Sequence, residues 1–162
     1  MNELLEKLKA YDWGGDRGAL VGIDDLIAGA HRNKDTLAEI EAALLEVLQS
    51  DVKLPAKEYV CRQLALIGTA SCVPALAQLL TDAEMSDRAR LALEAIPGTA
   101  ADDALRAALD KTSGIQRVGI INTLGERHDK KAAPMLSEMR NDPDGALSEA
   151  AAAALRKIEP PA

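Results

Sequence analysis

The sequence predicts an all-α chain of stacked helical hairpins, and three observations carry that prediction. One hydrophobic pattern recurs at about 30 residues. Apolar residues make up 48% of the 162 positions while aromatics supply only 2%, with no Phe at all. No stretch alternates apolar and polar residues as a half-buried strand would. Ala, Leu, Ile and Val must therefore fill the core, and small side chains let helices approach closely.

In chain order, residues 1–15 hold a short amphipathic helix through Leu4, Leu5 and Leu8, followed by the loop Asp12-Trp13-Gly14-Gly15-Asp16. This segment reads as an N-terminal cap. Residues 16–51 form a diverged first hairpin: Leu20, Ile23, Ile27 and Ala30 share one helical face, and Leu37, Ile40, Leu44, Val47 and Leu48 share the next. The clearest copy, residues 56–82, places Val60, Leu64 and Ile67 on a first helix and Val73, Leu76, Leu79 and Leu80 on a second. Gly68 is expected to end the first helix in the left-handed conformation, and Pro74 to fit the first turn of the second. The copy at 85–111 repeats Leu64, Ile67 and Leu76 as Leu93, Ile96 and Leu105, each 29 residues on. The copy at 113–142 carries Ile121, Leu124 and Leu136, with a turn three residues longer. A half copy at 145–158 supplies Leu147, Leu155 and Ile158 and stops at Pro160 and Pro161. A lone copy buries too few aliphatic side chains to offset its ordering entropy, so the copies must stack.

The segment LALIGTASCVPALAQLLTD, residues 64 to 82, resembles the bacterial HEAT-repeat consensus of the type also found in phycobilisome lyases. In that consensus a leucine, a glycine turn, a Val-Pro and a paired Leu-Leu precede an Asp. NDPDGALSEAAAAALRKI, residues 141 to 158, looks like the join between two such repeats. The stretch from Tyr11 to Ile158 is also similar to the N-terminal HEAT region of larger, often exported bacterial proteins. The resemblance implies a right-handed α-α superhelix, a HEAT-type solenoid of about three and a half helical hairpins with an N-terminal capping helix. It covers about two thirds of the chain and is specific for fold rather than activity, because the fold hosts scaffolds, adaptors, lyases and glycosylases alike.

Charge and cysteine usage narrow the function. A formal charge of −7 does not suit a surface that neutralises a phosphate backbone, so nucleic acid is not expected as a partner. No run of 18 apolar residues appears, so membrane insertion is not expected either. The chain reads as soluble and without an export signal, although removal of a signal peptide would leave the same sequence. Cys61 lies roughly 9 Å of helix below the turn that precedes Cys72, too far for a disulfide. Two free, mostly buried thiols are expected.

Catalytic constellations are scarce. His31 and His128 are far apart and neither is followed by Glu, which departs from the paired His-Glu motifs of iron-binding HEAT enzymes. No Cys-x-x-Cys or phosphate loop is present, so neither enzyme activity nor a cofactor or metal is expected. Asp12 and Asp16 lack the spacing of a calcium loop and read as a turn in which Asp16 caps the next helix. Trp13, the single Trp, could anchor a partner, but a lone loop Trp more often folds back over the end of a core. The resemblance places the second helices on the concave face. Aligning the copies then sets Glu46, Gln78, Ala107 and Glu138 in one row, with Arg106 and Ser137 beside it.

The five alanines at 150–154 make the last helix smooth on nearly all sides, open to a partner or a second copy of the chain. These features favour a non-enzymatic interaction or scaffolding module that binds a protein or peptide on its concave face or at its C-terminal end. A protein of the bilin-lyase kind and a rigid spacer within a larger protein are the alternatives.

Overall fold

The structure, a computed structural model, describes residues 1–159. The stop expected at Pro160 and Pro161 lies outside the described residues. Ten α-helices follow one another: α1 (Asn2–Lys9), α2 (Gly18–Ala30), α3 (Lys34–Gln49), α4 (Leu54–Ile67), α5 (Val73–Gln78), α6 (Ser86–Ala95), α7 (Thr99–Leu109), α8 (Gly114–Glu126), α9 (Ala133–Met139) and α10 (Gly145–Ile158). Short 3-10 turns at Ala70–Cys72, Leu79–Thr81 and Lys130–Ala132 join or extend them. The described residues contain no strand, so the all-α prediction is borne out. No helix among them is long and apolar enough to cross a membrane.

The packing is regular. Helices α2, α4, α6, α8 and α10 touch in succession and form one row. Each second helix lies against the first helix of the following pair: α3 on α4, α5 on α6, α7 on α8 and α9 on α10. Helix α1 rests on both α2 and α3. With the pair α2/α3 counted there are four pairs and an unpaired α10, one pair more than the clearest sequence copies supply.

Local signals set the boundaries. Asn33 accepts a hydrogen bond from the Thr36 amide at the start of α3, and Asp144 accepts from Ala146 and Leu147 at the start of α10. Thr69 and Asp129, 60 residues apart, each cap a 3-10 turn and precede Pro74 and Pro134 in the first turn of α5 and α9. Leu64, Leu93, Ile121 and Leu155 are all buried on α4, α6, α8 and α10, as the sequence register requires. Leu76, Leu105 and Leu136 are fully buried on the second helices.

Gly68 departs from expectation. Its φ of −63° and ψ of 144° are extended rather than left-handed, while its amide still donates to Leu64 O at 2.8 Å. The glycine is needed for space: a Cβ there would lie 2.3 Å from Leu64 O and 2.9 Å from Cys72 Sγ. The longer turn after α8 uses a left-handed residue instead, His128 at φ 53°.

Polar contacts repeat the spacing of the sequence. Thr69 donates to Glu41, 28 residues away, and Thr123 Oγ1 to Glu94, 29 away. His128 Nδ1 donates to Lys157 O, again 29 away. Arg127 reaches from the end of α8 to the end of α6, donating to the carbonyls of Leu93, Glu94, Ile96 and Gly98 while its Nε pairs with Asp102. It supplies donors to backbone carbonyls that the helix end leaves without intrahelical partners.

Two substitutions test this frame by urea denaturation. Leu93→Ala should cost about 2 to 5 kcal/mol, the range for a fully buried leucine left as a cavity. Arg127→Met should cost about 3 kcal/mol, because it leaves Asp102 largely buried without its partner. A Leu93→Ala loss below that range would mean that the cavity collapses.

Candidate partner-binding groove

The residues expected to bind a partner are scattered among different roles. Glu46 on α3, Gln78 at the end of α5 and Glu138 on α9 are exposed, as are Ala107 and Ser137. No hydrogen bond or ion pair joins any two of Glu46, Gln78, Arg106 and Glu138 among the described residues. Arg106 is mostly covered and committed elsewhere: its guanidinium bonds Asp103 on its own helix and the buried Asp129 in the turn before α9. That side chain holds α7 to the next pair and has little left for a ligand.

The alanines of α10 are also used internally. Ala150, Ala151 and Ala154 are buried where α10 meets α8 and α9. The approach is so close that a Cβ on Gly125 would lie 2.7 Å from Ala154 Cα. Ala152 stays half-exposed beside a shallow depression with Leu155 and Arg156.

Trp13 does not fold back over the core; 70% of it is exposed. The loop that carries it is pinned from both sides. Asp12 accepts from the Trp13 amide at 2.8 Å and pairs with Lys53 just before α4, and Gly15 donates back to Asp12 O. Lys53 also holds the Asp12 carboxyl below its ordinary range, chiefly through the hydrogen bond between them. Asp16 accepts from the Gly18 amide at 2.9 Å in a turn that leads into α2, but Arg17 holds the N-cap position and no side chain caps the helix, so the capping role read from the sequence is not what Asp16 does. With both carboxylates so occupied, the loop offers an exposed indole on a pinned backbone rather than a cation cradle.

Trp13 stands at the edge of a groove of about 620 Å³ between this loop, α2, α4 and α6. Leu20, Pro55, Ala65 and Ala92 give it an apolar surface, and Leu91, 46% exposed, helps to line it. A second depression of about 540 Å³ shares Arg17, Leu20 and Arg62 with the first and adds Val21 and Leu66, the latter 73% exposed. The two depressions thus bring the exposed side chains of Trp13, Val21, Leu66 and Leu91 onto one side of the first helices.

The charges of the larger groove run against those of the whole chain. Arg17, Arg62 and Arg88 line it against Glu58 alone, a local excess of two positive charges. Arg88 Nε is paired with Glu58 at 3.2 Å, whereas Arg17 and Arg62 have no ion-pair partner among the described residues. The Arg62 guanidinium sits 5.6 Å from the Tyr59 ring centroid, a cation–π contact that gives it a direction. Tyr59 is itself fixed, donating to Leu20 O at 2.9 Å and to Asp24 at 2.8 Å, which ties α4 to α2. Burial, then Asp24, raises the Tyr59 phenol above its ordinary range.

Cys61 lies at the groove but is buried, and Cys72 is buried too; both thiols are free, as expected. Burial first, then the Glu58 charge, pushes the Cys61 thiol up to about 12, and burial with Glu41 does the same to Cys72. Neither supplies a thiolate nucleophile near neutrality. Among the described residues no three His, Cys, Asp or Glu side chains are grouped to hold a metal ion.

Sequence reasoning named Trp13 as a possible anchor but looked to the second helices for the surface, and so missed the groove that the first helices line. A further signal was present for the adjoining depression: Leu66 lies off the core stripe of Val60, Leu64 and Ile67. The arginines gave none, because Arg17, Arg62 and Arg88 share no common spacing.

The thiols give this site its pH test. Their native values lie above the ordinary 9.0, so they favour the folded state fully below pH 9 and cease to do so as pH climbs toward about 12. A disulfide reagent at pH 8 should leave both thiols untouched in the native protein and titrate two in urea; rapid native labelling would contradict their burial. Comparison with protein-family models, curated proteins and solved structures returns no match to this chain.

Proposed function

We propose that this chain is a non-enzymatic protein-interaction module, built as a HEAT-type superhelix, whose partner docks in the groove beside Trp13. The carrying observation is an exposed indole, on a loop whose backbone is pinned, lining an apolar groove. An indole there offers a large contact area, the character of an interface anchor.

The superhelical reading rests on agreement between two spacings. The core leucines of the two clearest copies, Leu64 and Leu93, Leu76 and Leu105, recur at 29 residues in the sequence. The contacts Glu41 to Thr69, Thr123 to Glu94 and His128 to Lys157 span 28 to 29. A stack of like units produces both. Such a stack presents rigid surfaces on which side chains can be held for recognition.

The groove displaces the row of Glu46, Gln78 and Glu138 as the leading surface, since none of those side chains lines the three depressions described above. A pull-down with the immobilised chain should recover one stoichiometric protein. Trp13→Ala should retain the helical circular dichroism of the parent and weaken that complex by about 2 kcal/mol, the loss expected of an interface hot spot. Equal capture by the Trp13→Ala chain would move the docking site elsewhere.

A further inference from the structure

We infer that the occupant of the groove is an acidic peptide segment of a partner protein, carrying an apolar side chain flanked by carboxylates. The inference rests on the docking role given to the groove and adds the chemistry of the partner. Charge is its first support. The chain as a whole carries −7, yet the larger groove brings three arginines against one glutamate. Only Arg88 is paired, with Glu58. Arg17 and Arg62 are exposed and free of ion pairs among the described residues. They line both depressions, so they flank whatever crosses from one to the other.

A guanidinium offers several N–H donors in a plane and suits a carboxylate in a two-pronged arrangement. Arg62 is held over Tyr59 and so is partly preorganised for such a contact. Asp24, the one acid that the second depression adds, already accepts from Tyr59. Asp24 keeps its charge in that bond, so the two depressions together set three arginines against two carboxylates, still a net positive surface.

Size and shape favour a chain segment over a small anion. The two depressions, about 620 and 540 Å³, meet at Arg17, Leu20 and Arg62 and form an extended surface rather than one enclosed pocket, which suits a chain segment. Trp13 and Leu91 at one end, and Val21 and Leu66 at the other, give two apolar contact points with the arginines between them. An amphipathic segment meets that pattern by alternating apolar anchors with acidic groups. A basic segment meets unpaired arginines, a repulsion that works against binding.

The test uses the fact that Trp13 is the only Trp in the chain, so intrinsic fluorescence reports on the groove directly. Random dodecapeptides displayed on phage are panned against the full chain and counter-selected on Trp13→Ala. The surviving peptides are then titrated in solution. The expected binders are rich in Asp and Glu around a Leu, Ile, Met or aromatic residue, and they shift Trp13 emission to shorter wavelength.

Arg17→Glu with Arg62→Glu should weaken them by about tenfold or more, and added salt should weaken the parent complex. Both arginines are exposed, and circular dichroism of the double variant checks its fold independently. Trp13-dependent binders that are neutral or basic, or that tolerate the arginine changes, would overturn the acidic assignment while leaving the groove as the docking site. No Trp13-dependent binder at all would overturn both. Decanoate, an anionic amphiphile without a peptide backbone, is the control: tighter binding than every selected peptide would overturn the peptide assignment.

Discussion

Close approach between neighbouring helices is the constraint on which the rest of this structure depends. With no Phe and a single Trp, the core cannot fill a wide gap between layers. The row of first helices meets that limit with alanine and glycine. Ala89 and Ala92 are buried on α6, Ala151 and Ala154 on α10, and Gly125 on α8 stands against Ala154 with no room for a Cβ. Leucine and isoleucine then suffice to fill the space between the row and the second helices.

The same closeness makes the polar network possible. Arg127 can reach the carbonyls at the end of α6 because α8 and α6 are direct neighbours. Arg90 on α6 reaches Thr123 on α8 at 2.9 Å, while its own buried Nε finds no partner. A Cβ on Gly119 would lie 2.9 Å from that Nε, so the arginine itself lies in the helix interface. These bonds tie each unit to the next. Most buried polar groups find partners, so these bonds favour one register between neighbouring units, which uniform aliphatic packing alone does less well.

The start of the row is where this economy of small side chains changes. Tyr11, Trp13 and Tyr59, all the aromatic residues of the chain, gather around α2 and α4. Tyr59 turns inward and ties α4 to α2, whereas Trp13 turns outward on a loop held by Asp12, Asp16 and Lys53. The surface there is larger in its side chains and opposite in its local charge to the rest of the molecule. That contrast sets the groove apart from the solvated faces of α3, α5 and α9.

The helices and their register were legible in the sequence because they depend on short-range periodicity and repetition. Leu64, Leu93, Ile121 and Leu155 could be aligned by counting, and Pro74 acts within one turn of its own position. The fate of other side chains depended on residues far along the chain. Gly68 is a matter of space beside Cys72, Arg106 is taken by Asp129, and the Trp13 loop is tied through Asp12 to Lys53, 41 residues along the chain. The groove joins residues 11 to 92 through helices that touch only after the units stack. The sequence by itself therefore determined the helical units and their spacing, since hydrophobic periodicity is a property of neighbours in the chain. Only the tertiary structure decided which surface is open and what charge it carries, because both arise where separate helices meet.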